Sequence, residues 1–362
     1  MRSARMARVR ESMDAAGVEA LLLSLGADLP WLTGYEAMPL ERLTMLVFPS
    51  DGEATLVVPR LEAPRVDVDG TFALRPWSET ESPIEVVASL VGARRRLAVS
   101  DRTWATFVLQ LQRTLPDAAW RVASEITGPL RAVKDEAEVE ALAVASAAAD
   151  RVASQLLKGD IPLAGRTERE VSDDISRRLI AEGHQRVNFA IVGSGPNSAS
   201  PHHDAGPRRI SAGEPVVCDF GGTLDGYCSD ITRTVCVGRV PVGFAELYAV
   251  LEDAQAAAVA AAKVGTTCED VDATARQRIA AGGYGEAFIH RTGHGIGLEE
   301  HEDPYIVAGN TLVLEPGHAF SVEPGIYFDG RFGARIEDIV VATATGPRSL
   351  NGVSHALTVV DA

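Results

Sequence analysis

The chain has 362 residues, of which 46% are hydrophobic, so it is long enough for two domains and can pack an apolar core in each. Its 34 basic and 50 acidic side chains give a formal net charge of −16. That charge disfavours nucleic acid and anionic membrane surfaces as partners, because both are polyanionic. Peptides and small molecules are the binding partners that the composition favours.

The cysteines and the N-terminal segment indicate the cellular compartment. Four cysteines are present and none has CxxC spacing: Cys218, Cys228, Cys236 and Cys268. We expect reduced, packed thiols, because a chain of this size does not need disulfides for stability. The apolar run Ala20–Leu23 is too short for a signal-peptide core or a membrane span. We therefore expect a cytoplasmic protein.

The N-terminal third alternates between helical and strand-like patterns, which predicts an α/β domain. The predicted helices are Arg5–Ala16, ending near Gly17, and Trp104–Thr114. The predicted strands are Ala20–Ser24, Leu43–Phe48, Ala54–Val58 and Leu97–Ser100. A break at Gly128-Pro129, followed by a charged helix start at Lys134–Glu140, places the domain boundary near residue 127. The predicted domains are residues 1–127 and 128–362.

The second predicted domain contains two similar stretches at a constant offset of 100 residues. Gly165–Val171 corresponds to Gly265–Val271, and the Gly193-Ser194-Gly195 turn corresponds to Gly293-His294-Gly295. In each copy a threonine stands three residues before an acid, which is the capping-box pattern of a helix N-terminus. Chance similarity between two capped helices is the alternative, but a hairpin pattern also follows each copy. We therefore expect an internal duplication.

Each predicted hairpin carries a pair of carboxylates. A turn centred between Leu224 and Asp225 would place Asp219 opposite Asp230. In the second hairpin, a turn centred on Gly330 would place Glu323 opposite Glu337. An error of one residue in the turn would make either pair diagonal neighbours, so we expect Cβ separations of about 4.5–8 Å.

Histidines add to these carboxylates. His294 lies between two glycines, which allow close backbone approach and leave the imidazole facing a cavity. Four carboxylates and one imidazole suit two divalent cations about 3.5–4 Å apart, and therefore a hydrolytic site. His301 and His202 are candidates for stabilising an oxyanion near a substrate carbonyl. His203 is a weaker candidate, because adjacent side chains on an extended chain point in opposite directions.

These motifs resemble the pita-bread metallopeptidases, which comprise Xaa-Pro dipeptidases (prolidases), aminopeptidase P and methionine aminopeptidase. The resemblance covers roughly residues 130–350 and rests on Asp219-Phe220-Gly221, Tyr227–Thr234, Gly293–Leu298, His301-Glu302, Glu323–Tyr327 and Arg335–Asp338. It implies an α+β pita-bread catalytic domain with an internal pseudo-two-fold duplication. The α/β domain before it is similar to that of the proline-directed and creatinase branches, whose dimeric members imply a homodimer here.

The resemblance also implies a centre of two divalent metal ions, with manganese expected and cobalt, zinc or iron as alternatives. Asp219 would hold one ion, His294 and Glu323 would hold the other, and Asp230 and Glu337 would bridge both. A hydroxide bridging the two ions would attack the carbonyl before proline, with Glu323 as general base or proton shuttle.

Three further roles follow from the same resemblance. His202 and His301 resemble the histidines that bind substrate and stabilise the tetrahedral intermediate, and Arg335 resembles a residue that orients the bridging carboxylate.

Two departures from the family pattern affect the choice of substrate. The run Asp303-Pro304-Tyr305 replaces an apolar–Pro–Arg run whose arginine binds the dipeptide carboxylate in many prolidase-like enzymes. Glu300 replaces a commonly apolar residue, and an acid there favours a free amine or a basic side chain. The sequence therefore leaves open the preference between dipeptides and longer peptides.

The predicted activity is hydrolysis of the Xaa-Pro bond at the N-terminus of dipeptides or short peptides. One alternative is a hydrolase or metal-dependent lyase of a small zwitterion on the same fold. Another is a binding module that has lost catalysis. The intact ligand set argues against a creatinase-like hydrolase and against the binding module, whereas the lyase stays open.

Overall fold

The computed structural model describes residues 2–362 of the chain. The chain divides into two compact units between Arg131 and Ala132. Each unit has its own sheets and its own apolar core. Within residues 2–362, no helix combines the length and apolar character needed to cross a membrane.

The first unit is a mixed six-stranded sheet with helices, as the alternating pattern predicts. Its helices are α1 (Arg2–Ala16), α2 (Asp28–Thr33), α3 (Pro83–Val91), α4 (Ala105–Thr114) and α5 (Ser124–Ala132). Its strands are β1 (Ala20–Leu23), β2 (Met45–Pro49), β3 (Thr55–Pro59), β4 (Ala73–Trp77), β5 (Arg96–Val99) and β6 (Ala119–Val122). The strand order is β4-β3-β2-β1-β5-β6. The predicted α/β class is confirmed.

The predicted break at Gly128-Pro129 is wrong, because α5 continues through both residues. Proline at position 129 cannot donate to the carbonyl of Glu125 and its ring crowds that carbonyl, but the helix continues and buries Ile126 and Thr127. The Thr127 hydroxyl supports the first turn by donating to the carbonyl of Ala123 at 3.0 Å. The boundary expected near residue 127 therefore falls inside a helix.

The second unit contains two sheets, each packed against a pair of helices. Its helices are α6 (Glu136–Leu157), α7 (Glu168–Ala181), α8 (Phe244–Ala261) and α9 (Cys268–Ala281). The first sheet comprises β7 (Arg186–Ser194), β8 (Pro215–Leu224), β9 (Tyr227–Cys228), β10 (Ile231–Val237) and, from the C-terminus, β18 (Thr358–Val360). The second comprises β11 (Gly293–Gly295), β12 (Glu302–Ile306), β13 (Ala319–Val322), β16 (Asp338–Thr343) and β17 (Gly346–Ser349). The remaining strands, β14 (Gly325–Phe328) and β15 (Phe332–Arg335), form a two-stranded ribbon.

The helix pairs and their caps show the predicted duplication. Side chains of α6 and α7 pack on the first sheet, and those of α8 and α9 pack on the second. The hydroxyl of Thr167 accepts the N–H of Glu170 at 3.2 Å at the start of α7. The hydroxyl of Thr267 accepts the N–H of Asp270 at the same distance, 3.2 Å, at the start of α9. The expected duplication is therefore confirmed.

The first hairpin turns one residue later than predicted. Leu224 pairs with Tyr227, so Asp225 and Gly226 form the turn, both with positive φ of 49° and 86°. Such a turn suits the Asp-Gly sequence, because glycine adopts positive φ without steric strain. Asp219 consequently pairs with Thr232 and lies diagonal to Asp230, the second of the two expected arrangements.

The second hairpin has the predicted register. Phe328 pairs with Phe332, which centres the turn on Gly330. The pairing of Val322 with Asp338 continues the same register beyond the ribbon. Glu323 and Glu337 therefore occupy opposite positions, as expected, in the gap between the paired segments.

The four cysteines are free and buried, as expected for packed thiols. Burial raises the pKa of Cys218 to about 12, so its thiol stays protonated beside the ligand candidate Asp219. The thiols therefore belong to the apolar packing.

Candidate metal centre

The five predicted metal ligands lie together although they come from different strands. Asp219 is on β8, Asp230 precedes β10, His294 is on β11, Glu323 follows β13 and Glu337 precedes β16. All five line one cavity of about 850 Å³. The tertiary fold therefore assembles the set that the sequence selected.

Glycines on both sides of His294 allow its strand to pack tightly. A Cβ atom at Gly293 would overlap the carbonyl oxygen of Ser321, and one at Gly295 would overlap the carbonyl oxygen of Asp303. The N–H of His294 donates to the Ser321 hydroxyl at 3.0 Å. Close packing of β11 thus fixes the backbone from which the imidazole projects.

The imidazole of His294 faces three carboxylates. Its Nε2 atom lies 3.3 Å from Oε1 of Glu323 and 3.7 Å from Oδ2 of Asp230. One potential ligand atom each from Asp230, His294 and Glu337 fall within 4.8 Å of one another. The Nδ1 atom lies 3.2 Å from the carbonyl of Gly295, so with a metal ion bound Nδ1 would carry the ring proton and Nε2 would supply the lone pair.

Three carboxylate oxygens in this cluster have no hydrogen-bond partner. They are Oδ1 of Asp219, Oδ1 of Asp230 and Oε1 of Glu337. Buried polar atoms are rarely left without partners, because desolvation without a compensating bond is unfavourable. Oxygens of this kind beside an imidazole nitrogen are the donors that divalent transition metals accept, so the residues fit the implied metal ions.

The electrostatics of the cluster also favour cations. Burial raises the pKa values of Asp219, Asp230 and Glu337, and the charges of neighbouring carboxylates raise them further. At Glu323 burial also acts to raise the pKa, but the hydrogen bond and charge of His294 outweigh it and lower the pKa to about 2. Divalent cations would stabilise all of these groups in the charged form.

Arg335 connects two of the carboxylates from behind. Its Nη2 atom donates to Oδ2 of Asp219, and its Nη1 atom donates to the hydroxyl of Tyr327 at 2.8 Å. Its Nε atom lies 3.1 Å from the hydroxyl of Thr232, which itself donates to Oε2 of Glu337 at 2.6 Å. Arg335 therefore contacts Asp219 directly and reaches Glu337, the predicted bridging carboxylate, through Thr232.

The two predicted substrate-binding histidines line the same cavity. The ring of His301 lies 3.9 Å from that of His294 between centroids. Partial burial and the neighbouring His294 lower the pKa of His301 to about 4, so its imidazole is neutral near pH 7. His202 lines the cavity as an exposed side chain.

His203 also lines this cavity, although it was the weaker candidate because adjacent side chains on an extended chain point in opposite directions. The alternation fails because the chain forms a turn at residues 201–202. The Nε2 atom of His203 lies 2.8 Å from Oε2 of Glu168, a fully buried carboxylate. Burial acts to raise the pKa of Glu168, but hydrogen bonds from Ser194 and His203 lower it. Glu168 is therefore a charged anchor for His203.

Two residues of this site were not predicted from the sequence. His290 lines the cavity, and Tyr327 hydrogen-bonds to His290 and Arg335. Because Arg335 can only donate, the Tyr327 hydroxyl accepts from it and can donate to Nε2 of His290 at 2.9 Å. Nδ1 of His290 then carries the proton and donates to the carbonyl of Arg291 at 2.7 Å. Tyr327 lies inside the segment Glu323–Tyr327 that carries the family resemblance, whereas His290 precedes Gly293–Leu298 by three residues, so its nearness to that segment was the available signal.

Comparison with known proteins identifies two families. Residues 138–344 match the metallopeptidase family M24, and residues 5–133 match the Creatinase/Prolidase N-terminal domain. A probable dipeptidase PepE of Mycobacterium bovis is 45% identical, in an alignment that covers 98% of this chain and 96% of that protein. An Xaa-Pro dipeptidase of Lactobacillus helveticus is 36% identical, in an alignment that covers 91% of this chain and 92% of that one.

The solved structures give the same relationship. The crystal structure of a recombinant prolidase from Thermococcus sibiricus matches with a TM-score of 0.93 at 35% identity. The match covers 99% of each chain, so it includes both units.

Removing one carboxylate should stabilise the metal-free protein. We expect Asp230→Asn to raise the melting temperature of chelator-treated protein at pH 8 by about 2–4 °C, the shift that about 1 kcal/mol produces in a unit of this size. Since the pKa of Asp230 is raised in the folded state, its destabilising effect grows as pH rises above the unfolded value. The gain should therefore shrink towards pH 5. Thermal unfolding at both pH values measures it.

Asp225→Asn is the matched control, because Asp225 lies exposed in the first hairpin turn, away from the cluster. It should leave the melting temperature unchanged at both pH values. A lower melting temperature for Asp230→Asn than for the wild type at pH 8 would contradict carboxylate repulsion in the cluster.

Proposed function

Because the chain belongs to the metallopeptidase family M24, we propose that it hydrolyses the Xaa-Pro bond at the N-terminus of dipeptides or short peptides. The observation that carries this proposal is the convergence of four carboxylates and His294 on one cavity, with three carboxylate oxygens unpartnered. Relatives described as an Xaa-Pro dipeptidase and a prolidase support proline as the residue after the scissile bond.

The ligand assignment of this proposal is dinuclear. Asp219 would hold one divalent ion, His294 and Glu323 would hold the other, and Asp230 and Glu337 would contribute to both. Manganese is the proposed metal, with cobalt, zinc or iron able to use the same oxygen and nitrogen donors. When bound, such ions polarise the scissile carbonyl and lower the pKa of a shared water molecule.

Side chains near the proposed ions accept and donate the protons that the reaction transfers. Glu323 is the proposed proton carrier, because its carboxylate lines the cavity within the cluster and can accept a proton from a shared water molecule. Its Oε1 atom also accepts the hydroxyl of Ser321 at 3.1 Å, which restricts the side chain. A proton taken up by Glu323 can pass to the leaving proline nitrogen.

His301 is placed to donate a hydrogen bond to the substrate. Nη2 of Arg291 lies 3.4 Å from its Nδ1 atom, and since arginine only donates, Nδ1 is an acceptor. The proton of the neutral imidazole is then on Nε2, which can donate to the developing oxyanion. His202 contributes a second imidazole, and Arg335 orients Asp219 directly and Glu337 through Thr232.

We also propose a homodimer, in keeping with the dimeric members that the sequence resembles. Light scattering at micromolar concentration should give twice the chain mass of 38.4 kDa. A monomeric mass would contradict this part of the proposal and would leave the peptidase assignment intact.

The substrate class is tested by peptide hydrolysis with metal-free protein reloaded with Mn²⁺. We expect cleavage of Ala-Pro or Ala-Pro-Ala and none of Ala-Ala, because proline defines the site. Cleavage of Ala-Pro alone identifies a dipeptidase, whereas cleavage of the tripeptide identifies an aminopeptidase P-like enzyme. Two bound ions without hydrolysis of either proline peptide would discard the assignment and favour a small-molecule reaction such as the lyase.

Glu323→Ala is the control within this experiment. Loss of the proton carrier should abolish detectable turnover while circular dichroism shows a retained fold. Turnover at the wild-type rate would contradict the role proposed for Glu323.

Glu300 should determine the preference for the first residue of the substrate. It lines the cavity one residue before His301, so its carboxylate is available to a basic side chain. We expect Glu300→Val to lower the ratio of kcat/KM for Arg-Pro to that for Leu-Pro about fivefold, as expected for losing about 1 kcal/mol from a partly exposed ion pair. Glu299→Val is the matched control, and an equal ratio change in both variants would exclude a specific role for Glu300.

A further inference from the structure

A short C-terminal segment lies behind the candidate metal centre. We call residues 351–355 the C-terminal strap; they lie between β17 and β18. The carboxylate of Asp150, on α6, accepts the side-chain amide of Asn351 at 2.9 Å and the N–H of Gly352 at 2.6 Å. Two atoms of one carboxylate thus hold the start of the strap on the helix.

Arg233 joins this strap to the strand that faces the metal centre. It is a fully buried residue of β10, and all five of its N–H donors have acceptors. Its Nε atom donates to the carbonyl of Ser354 at 3.1 Å, and its Nη2 atom donates to the carbonyl of Val353 at 2.8 Å. Nη2 also pairs with Oδ1 of Asp338 at 2.9 Å.

The remaining atom of Arg233 contacts the backbone of a proposed metal ligand. Nη1 donates to the carbonyl of Glu337 at 2.7 Å and to the carbonyl of Thr232 at 2.9 Å. Glu337 lies in the gap between β15 and β16, where it is outside both strands. Its N–H donates to the carbonyl of Thr232 at 3.2 Å, so β10 holds both its N–H and its C=O.

Two adjacent residues of β10 therefore contact Glu337. Thr232 binds its side chain, and Arg233 binds its backbone. Side chains of successive strand residues point to opposite faces, so Thr232 faces the carboxylate of Glu337 while Arg233 faces the strap. Thr232 holds Oε2 of Glu337, which leaves Oε1 as the unpartnered oxygen of that carboxylate. Arg233 holds the backbone from which this side chain projects.

Asp338 completes the attachment. Its Oδ2 atom accepts from Nε2 of His355 at 2.7 Å, and His355 is the last residue of the strap. The hydroxyl of Tyr248, on α8, donates to the carbonyl of His355 at 2.9 Å. The strap is thus fixed at both ends, and its carbonyls determine the orientation of the Arg233 guanidinium.

From these contacts we infer that Arg233, oriented by the C-terminal strap, is a positioning residue that sets the affinity of the centre for its metal ions through the backbone of Glu337. The inference rests on the proposed role of Glu337 as a metal ligand. Lysine cannot replace Arg233, because one ammonium group cannot span acceptors on the strap, on Asp338 and on Glu337 together.

The test is Mn²⁺ binding to metal-free protein by calorimetry, compared between the wild type and Arg233→Lys. We expect a Kd about tenfold higher in the variant, the lower end of the effect seen when a residue supporting a metal ligand is lost. Circular dichroism and thermal unfolding of the metal-free proteins measure the accompanying loss of stability.

Val152→Ala is the matched control for stability. Val152 is fully buried in the core between α6 and the first sheet, and its truncation leaves a cavity without removing any hydrogen bond of the strap. We expect it to lower the melting temperature while keeping the wild-type Kd. Equal Kd values in Arg233→Lys and the wild type, or equal increases in Arg233→Lys and Val152→Ala, would overturn the inference.

Asp150→Ala provides a second variant if metal-free Arg233→Lys does not fold. It releases the start of the strap at a residue only partly buried, and should raise the Kd for Mn²⁺ by a smaller factor in the same direction. An unchanged Kd in folded Asp150→Ala would overturn the inference. Failure of the wild type to bind Mn²⁺ would instead reject the proposed metal centre itself.

Discussion

Four carboxylates held around one imidazole are the constraint on which the second unit depends. Like charges repel and buried charges lose hydration, so this arrangement opposes folding unless the backbone enforces it. Hydrogen bonds from main-chain N–H groups hold the arrangement in place. The N–H of Glu323 donates to the carbonyl of Thr292 at 2.8 Å, and that of His294 donates to the hydroxyl of Ser321. Strand packing therefore positions the ligands before any ion binds.

The duplicated architecture explains how the two carboxylate pairs meet. Each half supplies one hairpin, and a strand of the first half, β10, bonds to Glu337 of the second. Thr232 is the residue at this junction, since it pairs with Asp219 across the first hairpin and donates to Glu337. Arg335 then connects the same threonine to Asp219. The two halves thus share one hydrogen-bonded frame around the cavity.

Local sequence patterns predicted the structure correctly where the backbone conformation at a position requires a particular residue type. The glycines beside His294 are required because Ser321 and Asp303 approach too closely for a side chain. The second hairpin register followed from a turn centred on Gly330. In the first hairpin the turn moved to Asp225-Gly226, where both residues have positive φ, and this shift converted a direct pair into a diagonal one.

Patterns failed where the outcome depended on a distant partner or on the path of a turn. The break expected at Gly128-Pro129 is absent, since α5 continues through both residues and packs Ile126 and Thr127 out of solvent. His203 reaches the cavity because the chain turns at residues 201–202, and Glu168, far away in sequence, holds it there. The turn has a local signal in Ser200-Pro201, whereas the contact with Glu168 has none.

The sequence by itself determined the α/β and α+β classes, the duplication and the five residues that assemble the cluster, because glycine spacing, helix caps and carboxylate pairs are local properties. Only the tertiary structure decided which carboxylate oxygens lack partners, how Arg335 reaches Glu337, and that the C-terminal strap lies behind it. Those features depend on contacts between residues more than a hundred positions apart, such as Thr232 with Glu337 and Arg233 with Ser354. Such contacts arise from packing, which no short stretch of sequence specifies.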